Sequence, residues 1–90
     1  MPRTIWKFPL RVADEQEVVM PRDAEILCVN EQFGQIALWA EVVPERHTQV
    51  RKIMIRGTGH SIDPNIEKKY IGTVFLEGKA LVFHVFERMA

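Results

Sequence analysis

The amino-acid sequence predicts a mainly β protein: a small antiparallel sandwich or barrel of six to seven short strands, with at most one short helix. Three observations carry this. Short runs rich in β-branched and aromatic residues recur along the chain, turn-forming links separate them, and helical periodicity is nearly absent. Ninety residues predict a single domain, 1–90, with no room for a second.

TIWKFPL (Thr4 to Leu10) reads as a strand that Pro9 pushes toward a sheet edge or a strand end. DEQE (Asp14 to Glu17) reads as a solvated link, and EVVMP (Glu17 to Pro21) as a second short strand. AEILCVNEQ (Ala24 to Gln32) and IALWAEVV (Ile36 to Val43) flank a Gly-containing link and predict a hairpin turning near Gly34. PERHTQ (Pro44 to Gln49) reads as a polar link or a long hairpin turn, with His47 in solvent. TQVRKIMIR (Thr48 to Arg56) alternates, with Val50, Lys52, Met54 and Arg56 on one side and Arg51, Ile53 and Ile55 on the other. In DPNIEKKY, Asp63 as an N-cap and Pro64 at the first helical position predict a short helix or 3₁₀ turn. YIGTVFLE and ALVFHVFE, joined through Gly78-Lys79, predict a second hairpin. Its last strand sets Leu81, Phe83 and Val85 against Val82, His84 and Phe86.

Hydrophobic residues make up 47% of the chain, enough for a packed domain and, at this size, for a further surface to hide. Self-association is the simplest way to hide it, and a free edge strand at either terminus would serve. Twelve basic and twelve acidic residues cancel, which argues against a broad electrostatic grip on extended nucleic acid. The lone cysteine, Cys28 in the apolar run ILCV, reads as a buried packing thiol in a reducing interior. The opening MPRTIWKFPLRV lacks a signal-peptide core, and no run approaches a membrane span, so a cytoplasmic protein without membrane contact is expected.

The most suggestive short stretch is Arg56-Gly57-Thr58-Gly59-His60. Glycines on both sides of Thr58 let backbone N–H groups converge on an anion, and Arg56 can grip a phosphate. The spacing matches neither common phosphate-loop pattern, so the competing reading is a glycine-rich strand exit. Lys52 shares a strand face with Arg56, and Trp39, on the strand face that carries Glu41, can stack on a flat ring or anchor an interface. Trp6, Phe8, His84 and Phe86 are interface candidates whose alternative is core packing. Histidines at 47, 60 and 84 have no metal-ligand spacing, so neither a metal nor a cofactor is expected. No Ser-centred elbow, cysteine–histidine pattern or carboxylate pair suggests catalysis, and no catalytic residues are assigned.

TIWKFPL, LWAEV, IRGTGHSI and YIGTVFLEGKALVFHVFE, taken together, resemble a family of small, uncharacterised bacteriophage and prophage proteins, over nearly the whole length. The resemblance implies an accessory role exercised by binding, in the cytoplasm of a host cell, and carries no catalytic residues. Two expectations follow. One is a non-enzymatic protein that homo-oligomerises and holds a small anionic ligand, with nucleotide-like molecules among the candidates. The other is a structural or protein-interaction module that contacts itself or a host protein and has no small-molecule ligand.

Overall fold

The computed structural model describes residues 1–89. Seven strands, β1 (Thr4–Leu10), β2 (Glu15–Pro21), β3 (Glu25–Gln32), β4 (Gln35–Val42), β5 (Thr48–Gly57), β6 (Lys68–Leu76) and β7 (Leu81–Arg88), follow in chain order. They form a smaller antiparallel sheet in the order β1-β4-β3 and a larger one in the order β2-β5-β7-β6. The two sheets stack as a sandwich and do not close into a barrel.

Alternation decides what lies between the sheets. Leu10, Val29, Ile36 and Leu38 of the smaller sheet meet Ile53, Ile55, Val74 and Val85 of the larger one in the main core. Met20, Ala24, Ala40 and Val42 extend it. Each fully buried Val, Leu or Ile contributes about 1.5–3 kcal/mol. At one end the interior turns polar: Arg51 donates through Nε and Nη2 to both oxygens of Glu87, and through Nη1 to the Ala24 carbonyl at 2.8 Å. The pair is largely buried, and losing one partner would strand the other charge.

The hairpins turn at Phe33-Gly34 and at Glu77–Lys79, where the sequence predicts them, all with positive φ. As Pro9 implies, β1 is an edge strand.

Four expectations are corrected. First, β2 begins at Glu15 rather than after a link, because Gln16 faces inward and its amide pairs with the Arg11 backbone at 2.7 and 3.0 Å. Second, no helix follows Asp63 among the described residues. Its side chain accepts the Asn65 N–H at 2.9 Å and its carbonyl the Ile66 N–H, but the turn ends there and β6 begins at Lys68. Third, the last strand is no edge: β7 lies between β5 and β6. Fourth, Cys28 is exposed. Simple alternation would put it inside with Ile26, but a β-bulge between the two shifts the register and turns Cys28 outward, opposite Trp39.

A second bulge, between Tyr70 and Gly72, lies on the facing edge strand β6. Here the sheets approach closely: a Cβ on Gly72 would stand 2.8 Å from Val29 Cγ1. Glycine is what lets β3 and β6 come together.

Candidate functional site

The outer face of the larger sheet can be built row by row from its register. Lys52 pairs with Glu17 and Arg88, and Arg88 with Lys68, so one row reads Glu17, Lys52, Arg88, Lys68 across β2, β5, β7 and β6. The next reads Glu15, Met54, Phe86, Tyr70, and the third Arg56, His84, Thr73. Val82 and Phe75 continue it along β7 and β6. A charged row, an aromatic row and a hydrogen-bonding row thus lie side by side on one open sheet. Four basic residues and two acidic ones leave this face positive in a chain of zero net charge.

Contacts tie the rows together. Phe86 packs edge-on against Tyr70 at 5.6 Å between centroids, and Lys68 Nζ sits 5.6 Å from the Phe86 ring. Arg88 Nη1 donates to Glu15 Oε1 at 3.0 Å, spanning β5 above Met54, which is fully buried although it points outward. His84 is held on both ring nitrogens, Nε2 to Thr58 Oγ1 at 2.8 Å and Nδ1 to Thr73 Oγ1 at 3.1 Å. Thr73 Oγ1 in turn bonds the Tyr70 hydroxyl. The hydroxyls can donate or accept, so the chain Tyr70–Thr73–His84–Thr58 suits either imidazole tautomer.

This network needs the β6 bulge. Tyr70 and Thr73 differ in strand parity and would face opposite sides of a regular strand. The extra residue at Ile71 returns Thr73 to the face of Tyr70.

The Arg56–His60 stretch is the exit of β5, ending in a turn closed by His60 N–H to the Gly57 carbonyl at 3.0 Å. Gly59 has φ +88°, and a Cβ on Gly57 would meet the His60 ring at 3.0 Å, so each glycine has a local structural reason. Arg56 donates to the carbonyls of Asp14, at 2.6 Å, and Ile55, at 3.1 Å, and so fastens the β1–β2 link to β5. Beyond Arg56, Thr58 is the member of the stretch that reaches the sheet face, through His84. Lys52, Arg56, His84 and Phe86 share that face. Trp39 is on the outer face of the smaller sheet, across the sandwich, between Lys7 and Cys28. Trp6 and Phe8 lie together on the inward side of β1, ring centroids 6.4 Å apart, with Trp6 still 40% exposed at the rim.

Tyr70, Thr73, Phe75 and Arg88 are functional candidates that the sequence reading passed over. An isolated glycine inside YIGTVFLE was the available signal, since it marks a bulge, and a bulge changes which residues share a face.

Fold and face together define a small all-β sandwich domain with one basic, aromatic sheet face. The chain belongs to the family described as a domain of unknown function (DUF7352), which matches residues 1–90. That description names neither an activity nor a source. No curated protein and no solved structure matches the chain.

Proposed function

We propose that the protein is a non-enzymatic, self-associating binding module whose site is the outer face of the larger sheet, and that its ligand is a small, flat anion of nucleotide type. The carrying observation is the order of the rows. Exposed Tyr70, with Phe86 beside it, offers a stacking surface between the cations Lys52, Arg88 and Lys68 and the His84–threonine network. The outer rows are four residues apart along a strand, about 13 Å, the length of a mono- to dinucleotide. Among the residues suggested by sequence, Lys52, His84, Thr58 and Phe86 belong to this site. Gly57, Gly59 and His60 shape the turn that carries Thr58, and Arg56 lines the margin.

The accessory role in a phage-bearing host cell, in the cytoplasm, is what the motif resemblance implies and fits a binding activity without catalysis. Self-association draws support from Ile5, Trp6 and Phe33, which are exposed at sites away from this face. Those same residues favour the second reading, an interaction module without a small-molecule ligand.

The test is equilibrium binding to a panel of purine and pyrimidine mono- and dinucleotides, with native mass spectrometry of the protein as purified. Tyr70→Ala and His84→Ala should each weaken binding about tenfold or more, a loss of about 1.4 kcal/mol, while Trp39→Ala leaves it unchanged. Absence of binding by every nucleotide at millimolar concentration would overturn the ligand and leave the interaction module.

A further inference from the structure

We propose that β1 pairs with β1 of a second copy, antiparallel about a two-fold axis at Trp6, joining two smaller sheets into one continuous sheet. The proposal rests on the self-association in the reading above but uses residues remote from the ligand face.

Among the described residues β1 pairs only with β4, and Thr4 to Lys7 are exposed, with Ile5 at 57% and Trp6 at 40%. Pro9 tells which backbone groups are free. It stands opposite Ala37, and a proline occupies a strand where its missing N–H would face away from the neighbour. Lys7 and Ile5 share its parity, so they direct N–H and C=O to the open edge, while Trp6 and Phe8 direct theirs to β4.

That parity leaves few self-complementary registers. Centring on Lys7 sets two lysines opposite one another, and centring on Ile5 sets Lys7 against Arg3, both unfavourable like-charge pairs. Centring on Phe8 puts Pro9 where Lys7 of the second copy needs an N–H partner. Centring on Trp6 avoids all three. Ile5 then exchanges two hydrogen bonds with Lys7 of the second copy, Lys7 does the same with its Ile5, and Pro9 falls at the end of the paired segment. The two Trp6 residues face one another at a narrow, non-hydrogen-bonded position, with Cα atoms about 4.5 Å apart.

Charge fits this register. On the outer face of the smaller sheet one row runs Glu25, Glu41, Ile5, and Lys7 of the second copy continues it. Lys7 meanwhile donates to the neutral Gln32 Oε1, at 2.9 Å. Lysine and proline commonly blunt an edge strand, but here Lys7 joins a row with two carboxylates, Glu41 of which also holds Arg3, and Pro9 lies outside the bonded pairs. A second copy is therefore a better occupant than an unrelated extended peptide. Because the axis is perpendicular to the sheet, both copies present their larger sheets on the same side. The dimer would display two His84 faces in one direction, suited to a bivalent target.

Sedimentation and light scattering over a concentration series should give twice the 10.5 kDa chain mass. Lys7→Pro removes an edge-facing N–H and no bond to β4, and should raise the dimer dissociation constant about tenfold or more. In a Cys28→Ser background, Trp6→Cys should oxidise to a covalent dimer, since the paired Cα separation lies within disulfide reach. This cross-link decides the matter if Lys7→Pro folds poorly. A monomer at every concentration would overturn both the pairing and self-association. A dimer that tolerates Lys7→Pro, or that is not cross-linked through position 6, would overturn the pairing alone.

Discussion

The two outer faces of the sandwich differ in how their polar residues are organised. On the smaller sheet the polar contacts are isolated: Arg3 with Glu41, and Lys7 with Gln32. On the larger sheet one imidazole joins two strands and a turn, and the adjoining hydroxyl passes the connection to a tyrosine. Isolated exposed pairs keep a surface soluble and bend easily to solvent competition. A network anchored at both nitrogens of one ring holds its members in fixed directions before any ligand arrives, which lowers the ordering cost of binding. The difference is therefore one of preorganisation, added to the basic and aromatic composition of the larger sheet's face.

The sharpest way to break the comparison is at Gly72. Gly72→Ala forces a methyl against Val29 at the closest approach of the sheets, and Val29 is β-branched and stiff. The expected loss is about 1–3 kcal/mol in denaturant unfolding. The bulge should shift with it and pull Thr73 from His84, so affinity for the proposed nucleotide ligand should fall too. A variant as stable as the wild type would mean that β3 and β6 separate without cost, and that the bulge is not held by the packing beneath it.

His84→Ala comes next. It removes bonds to two threonines on a partly exposed face, where water can replace them, so the cost should be about 1–2 kcal/mol. A double-mutant cycle of His84→Ala with Thr73→Val should show coupling of about 0.5–1.5 kcal/mol. Additive effects would reduce the network to neighbours that do not depend on each other.

What the sequence disclosed divides along the same line. Alternation in β5 and β7 was readable because each is a regular strand, and it assigned Lys52, Arg56, His84 and Phe86 to shared faces correctly. Both hairpin turns were readable because glycine stands at positive φ in each. What escaped was parity after a bulge. Cys28 in β3 and Thr73 in β6 each sit just beyond one, and a single inserted residue moved each to the face opposite the one alternation predicts. The span of Trp39 from the Arg56 turn also escaped, because it depends on strand order, and strand order is set by packing across the whole domain.

The hairpin of the smaller sheet gives a prediction of opposite sign. Phe33 is 95% exposed and holds φ 54°, a conformation that bulky side chains adopt only under strain. Phe33→Asn, followed by Gly34, restores the residue pair that such a turn favours and should stabilise the protein by about 0.5–1 kcal/mol. Thermal unfolding checks it. A loss of stability would mean that the ring packs usefully despite its exposure, and would count this end of the smaller sheet as organised.

The smallest effect belongs to the Arg3–Glu41 pair, which measures what an isolated contact on the smaller sheet contributes. The pair is close, 2.6 Å, yet both side chains are more than a third exposed, so solvent and salt screen most of the attraction. A cycle of Arg3→Ala with Glu41→Ala should give a coupling below about 0.5 kcal/mol. That coupling should shrink further on adding salt, whereas the His84–Thr73 coupling, a hydrogen bond rather than an ion pair, should not. If the two couplings were equal and both fell with salt, the contrast between an organised face and a merely solvated one would collapse, and with it the physical reason for placing the ligand on the larger sheet. If only the Arg3–Glu41 coupling fades, the preorganised face stands apart by its chemistry as well as by its geometry.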